Sequence, residues 1–150
     1  MKKIPLIVSS VAAAAIIVIL AVMAGNMSDK PDIIASGELY IDESLVEYAE
    51  PNRTLFIVLY DADPSARMPL GVMQEPIRVS GAGLIRKFSL TPEKLQRMMS
   101  NAPIPAKFRI KARLDRDGRG GVDQPGDVTA EVSDVAFGSD SVKIQFSKKI

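Results

Sequence analysis

Residues 107–114 read Lys107-Phe108-Arg109-Ile110-Lys111-Ala112-Arg113-Leu114. Charge and apolarity alternate without a break, which is the period of a β-strand with one face in a core. Phe108, Ile110, Ala112 and Leu114 take one face. Lys107, Arg109, Lys111 and Arg113 take the other, ~6.7 Å apart. Neighbouring charges at that spacing repel by only about 0.6 kcal/mol in water. An exposed ladder of four is therefore tolerable, whereas a buried one without counter-ions is not.

The same period recurs on both sides. Leu39 and Ile41 alternate with Glu38 and Tyr40. Val128, Ala130 and Val132 share a face, as do Val142, Ile144 and Phe146. Leu55-Phe56-Ile57-Val58-Leu59-Tyr60 is apolar throughout and predicts a central strand covered on both faces. Leu70–Met73 and Ile77–Val79 are strand-like, with Pro76 marking an edge or bulge. Leu84–Leu90 follows the turn Ser80-Gly81-Ala82-Gly83. Asp42 to Tyr48 fits a brief helical turn with Asp42 as its cap. A clearer helix is expected after Thr91, with Pro92 in the first position, Leu90 and Leu95 as a staple, and Leu95, Met98 and Met99 on one face. Asn101, Pro103 and Pro105 end it. About seven strands and one short helix predict an all-β domain, an antiparallel β-sandwich or barrel.

Ahead of that domain, Met1-Lys2-Lys3 precedes an uncharged run from Ile4 to Ala24. As a helix, 21 residues span roughly 31 Å, about the hydrocarbon thickness of a bilayer. Residues 1–24 are read as a single membrane anchor or, alternatively, a signal peptide cleaved before Gly25. The lysines before the run place the N-terminus in the cytoplasm and the domain outside it. Residues 25–37 read as a polar linker and 38–150 as the β domain.

Composition narrows the chemistry. The 150 residues include no Cys, His or Trp. Without Cys there is no disulfide or thiolate site, and without His no imidazole base or ligand. Any enzyme would have to work with carboxylates, Lys, Tyr and Ser. Asp61 and Asp63 are the candidate pair, but they sit in a Pro-containing turn. No enzyme activity, cofactor or metal is expected. The loop Asp115-Arg116-Asp117-Gly118-Arg119-Gly120-Gly121-Val122-Asp123 lacks the spacing and terminal Glu of a calcium loop. Met68, Met73, Met98 and Met99 are not spaced as a metal set and read as packing or as a soft contact surface.

Charge is sided. Residues 25–75 hold ten acids and three bases, and residues 76–150 eight acids and fourteen bases. Acidic and basic strands either pair across the sheet, or the ladder Lys107, Arg109, Lys111 and Arg113 faces an acidic partner. In the second case Arg116 and Arg119 extend it. Arg113, just before a Gly turn, instead has the option of tying down Asp127. No nucleic acid partner is expected, because no aromatic platform interleaves the ladder.

Several short blocks stand in a recognisable order: Leu55-Phe56-Ile57-Val58, then Arg67-Met68-Pro69-Leu70-Gly71-Val72 with Pro76, then Ala112-Arg113-Leu114-Asp115 through Gly118, then Pro125-Gly126-Asp127. In these the chain resembles the C-terminal periplasmic domain of the c-type cytochrome biogenesis proteins of the CcmI/CycH type. The resemblance runs over most of residues 36–146. It implies a β-rich module at the bacterial inner membrane, facing the periplasm. It also implies a chaperone-like protein-binding role with apocytochrome c or the haem-ligation machinery. Arg67, Met68, Pro69, Gly126 and Asp127 are the family-motif positions. The family's helical-repeat domain and second membrane span have no counterpart here, which points to a stand-alone accessory part. The other function considered is a secreted or anchored β-sandwich binding an anionic ligand or polysaccharide.

Overall fold

The computed structural model describes residues 32–50, 52–99 and 101–150. The expected membrane anchor, residues 1–24, and the linker up to residue 31 lie outside the described residues. Among those described, no helix is long and apolar enough to cross a membrane.

Among the described residues nine strands and one helix follow in the order β1 (Ala35–Ile41), α1 (Glu43–Ala49), β2 (Asn52–Asp61), β3 (Gly71–Arg78), β4 (Gly83–Leu90), β5 (Gln96–Arg97), β6 (Lys107–Asp115), β7 (Val128–Ala136), β8 (Ser139–Phe146) and β9 (Lys148–Lys149). They form two sheets, β4-β1-β8 and β5-β3-β2-β6-β7-β9, neither closed into a barrel. Their facing sides share one apolar core. Leu39, Ile41, Leu90, Ile144 and Phe146 enter it from the first sheet, and Leu55, Ile57, Leu59, Phe108, Ile110 and Leu114 from the second. This is the two-layer solution that half-buried strands require.

Pairing is antiparallel with one exception, so the expectation of a wholly antiparallel fold is corrected. β1 and β8 run parallel. The reason lies in the hairpin at Phe137–Gly138, which carries the chain from one sheet to the other. Gly138 N–H donates to the Ile34 carbonyl at 2.8 Å, so β8 and β1 start at the same end.

The domain also begins earlier than expected. Ile34 and Ala35 are fully buried, and β1 takes in residues assigned to the linker. Gly37 is a strand residue, not a tether residue. A Cβ there would lie 1.8 Å from the Val142 carbonyl oxygen, so only glycine permits this approach of β1 to β8.

The helix expected after Thr91 is replaced by a turn and a two-residue strand. Its start signals do act. The N–H groups of Lys94 and Leu95 both bond to the Thr91 carbonyl at 3.1 Å. The chain then leaves the helical path. Leu95 is buried against Gly71, in the space a Cβ of Gly71 would need. Gln96 and Arg97 pair with Val72 and Gly71, extending the sheet edge. Met98 and Met99, expected on the packed face, are exposed. Tertiary pairing outweighed local propensity. The α-helix among the described residues is α1 instead. Asp42 precedes it, but its side chain makes no cap bond; it accepts from Gln145 Nε2 at 2.9 Å.

Pro76 falls inside a single strand, β3, opposite Thr54. It is tolerated because β5 covers only Gly71 and Val72, leaving the rest of that edge without a strand partner. On the other edge, β7 carries a bulge between its pairings with Phe108 and Ile110. Asp134 within it has φ +56°.

Candidate functional site

The strand pair β2–β6 sets the outer face of the larger sheet. Phe56 lies opposite Arg113, Val58 opposite Lys111, and Tyr60 opposite Arg109. The core-facing residues of both strands are buried, so the alternate residues meet on the other side. Each arginine stacks on the aromatic ring beside it: the guanidinium carbon is 5.2 Å from the Tyr60 centroid for Arg109 and 5.1 Å from that of Phe56 for Arg113.

The basic ladder is not an open row of charges. Arg109 Nη1 donates to Glu131 Oε1 on β7 at 2.9 Å, while Nε and Nη2 donate to the carbonyls of Asp61 and Ala66 at 3.1 and 2.9 Å. Lys111 Nζ lies 2.5 Å from Asp123 Oδ2. Arg113 is buried, with 6% of its surface exposed. Its Nη2 is 3.0 Å from Asp115 Oδ2, and its Nη1 donates to Gly121 O at 2.8 Å and to Asp123 Oδ1 at 3.2 Å. Its Nε points toward Asp127 Oδ2 at 3.8 Å, beyond hydrogen-bond range. The expectation of an exposed ladder is therefore corrected for Arg109, Lys111 and Arg113. Three of its four members are paired, and only Lys107 is exposed with no ion pair among the described residues. The physical reasons are the neighbouring strand β7, which sets Glu131 beside Arg109, and the loop between β6 and β7, which brings Asp123 back over Lys111 and Arg113.

That loop is built around two buried aspartates. Asp115 Oδ1 accepts from the N–H groups of Gly118 at 2.6 Å and Asp117 at 3.1 Å. Asp127 accepts from Arg116 N–H at 3.2 Å and Gln124 N–H at 2.8 Å. Gly126, at φ +98°, donates to the Ile150 carbonyl, and Ile150 N–H returns a bond to Asp127 O. Gly120 lies over Phe56, close enough that an added Cβ would touch the ring at 3.4 Å. The loop is thus a strap laid across the outer face. Between strap and sheet is a pocket of about 320 Å³ lined by Val58, Tyr60, Lys111, Arg113, Val122 and Asp123.

The carboxylates divide electrostatically. Burial raises the Asp115 carboxyl above its ordinary range, against the pull of the Gly118 N–H and Arg113. Burial also opposes ionisation of Asp123, but Lys111 and Arg113 together outweigh it and hold that carboxyl low. Asp117 is held low by the Arg119 N–H.

Of the family-motif positions, Gly126 and Asp127 join Arg113 in this cluster. Arg67, Met68 and Pro69 lie at the opposite end of the sheet, leading into β3, with Arg67 and Met68 exposed. Asp61 and Asp63 build a turn: Asp61 Oδ1 accepts from Asp63 N–H, and Asp63 Oδ1 from the N–H and hydroxyl of Ser65. The methionines are dispersed, with Met73 in the core and Met68, Met98 and Met99 exposed. Arg116 and Arg119 are exposed at the far end of the strap. Phe56, Tyr60 and Asp123 escaped the sequence reading as site residues. The β2–β6 register, between strands distant in the chain, reveals Phe56 and Tyr60, and the fold-back of the β6–β7 loop reveals Asp123.

The chain matches no protein-family model, no curated protein and no solved structure.

Proposed function

We propose that this chain is a membrane-anchored accessory protein of c-type cytochrome assembly. It is held at the bacterial inner membrane with its N-terminus in the cytoplasm and its domain in the periplasm. It works by protein–protein contact with apocytochrome c or the haem-ligation machinery, not by catalysis. One observation supports the reading most. The resemblance blocks Ala112-Arg113-Leu114-Asp115 and Pro125-Gly126-Asp127 are separated in sequence yet meet in one buried ionic cluster. Short matches of that kind carry more weight when they are parts of one structural unit. The sequence, lacking Cys and His, leaves the thiol and imidazole chemistry of haem attachment to client and partner.

The reading of an anionic-ligand sandwich is less supported. Arg109, Lys111 and Arg113 already have carboxylate partners, and a ligand would have to displace them. Co-isolation tests the proposal: the tagged full chain, cross-linked in intact cells, should bring down haem-ligation proteins or apocytochrome c from solubilised membranes. Their absence, with the chain itself recovered in full, counts against it.

A further inference from the structure

One end of the sandwich gathers most of the exposed large hydrophobic side chains of the described residues. The strands starting or finishing there can be traced by their bonds: Phe137 N–H donates to Ala106 O, Gly138 N–H to Ile34 O, Met98 N–H to Leu70 O and Leu70 N–H to Leu59 O. Seven large hydrophobic side chains are exposed among the described residues, and five of them, Ile33, Met68, Met98, Met99 and Phe137, belong to this end. Their exposures run from 39% for Ile33 to 63% for Met68. The other two, Leu84 and Val122, belong to the opposite end or the strap. From β5 to β7 the sheet spans four strand intervals, roughly 19 Å. The five residues therefore rim one face of domain width; they are not scattered singly over the surface.

This is also the end from which the chain leads back toward the uncharged run at residues 4–24. Only residues 25–32 intervene, and eight residues reach at most about 29 Å when fully extended. We propose that this end rests in the headgroup layer of the bilayer, with Phe137, at the tip of the β7–β8 hairpin, as its principal contact. The inference rests on the membrane-anchored reading above. The contact is apolar in kind. Beside the five residues, exposed Asp32, Asp63, Asp134 and Asp140 outnumber exposed Arg67 and Lys107. Anionic lipids are repelled, and a zwitterionic surface suits it best.

The chain has no Trp, so a single introduced indole reports on its own surroundings. The full chain carrying Phe137→Trp, reconstituted in phosphatidylcholine vesicles brominated high on the acyl chains, should show blue-shifted emission. The bromines should quench it at least threefold more than they quench Gln124→Trp, at the other end of β7. Met68→Trp should behave like Phe137→Trp, which guards against a local disturbance of the hairpin. Replacing a third of the lipid by phosphatidylglycerol should reduce the quenching. Equal quenching at Phe137→Trp and Gln124→Trp, in a chain that stays with the vesicles through alkaline carbonate, overturns the contact and leaves the anchor standing. Release of the chain by carbonate overturns the anchor, and the contact with it.

Discussion

Arg113 and Asp115, two residues apart on β6 and on the same face of it, are ion-paired at 3.0 Å with 7% and 2% of their side chains exposed. Around this pair the strap between β6 and β7 is assembled, through Asp123, Gly121 and Asp127. A buried pair is costly to desolvate but far costlier to break, because the remaining charge has nowhere to go.

Arg113→Ala should therefore destabilise the domain by about 3–5 kcal/mol. It strands Asp115 and uncovers Phe56. Urea unfolding of the variant against the parent protein measures this. A loss under about 1 kcal/mol, in the range of ordinary surface changes, would mean that the strap is held by its backbone bonds alone.

The four ladder residues should separate on charge reversal. Lys107→Glu should leave stability within about 0.5 kcal/mol. Lys111→Glu sets a carboxylate beside Asp123 and across from Glu131, and should cost about 1–2 kcal/mol. Thermal melts of the two single variants decide it, and equal melting points would contradict the pairing.

Gly37→Ala should cost about 3 kcal/mol, because the new methyl meets backbone rather than a side chain that can turn aside. Gly81→Ala, at a site with no atom within 4 Å, is the matching control and should be close to neutral.

Acid should loosen the strap through Asp123 and Asp117, both held below the ordinary carboxylate range. Groups of that kind add stability that is complete above their unfolded pKa of about 4 and is lost as pH falls through their lower folded values. Asp115, raised by burial, runs the other way, since its ionised form is disfavoured by folding. Asp123→Asn should flatten the fall in stability as pH drops below about 4 in urea titrations. An unchanged slope would place the acid response elsewhere.

Much of this fold could be read from period alone. The strict alternation at 107–114, 128–132 and 142–146 gave strands, faces and core residues, because side-chain direction in a strand follows from covalent geometry. What failed was what depends on remote partners. Thr91-Pro92 starts a helical turn as its chemistry demands, but Leu95 gains more by filling the space over Gly71. Gly37 looks like a linker residue until Val142 is seen against it. Alternation puts the ladder on one face, yet the burial of Lys111 and Arg113 turns on Asp123, ten residues beyond Arg113 and delivered by a loop without periodicity. The pairing of acidic with basic segments, one of two outcomes open in the sequence, is found at Lys87–Glu38 and Arg86–Glu75, 3.4 and 3.5 Å apart, whereas the ladder takes its partners Glu131, Asp123 and Asp115 from the basic segment itself. The alternative held for Arg113, tying down Asp127, corresponds to the approach at 3.8 Å.

A part in c-type cytochrome assembly would show in the haem content of membranes from a strain lacking this gene. Covalently bound haem, read from haem-stained denaturing gels and from haemochrome difference spectra, should fall while b-type haem is unchanged, and the full-length gene should restore it. Normal covalent-haem bands in the deletion strain, with no close paralogue present, would contradict the account.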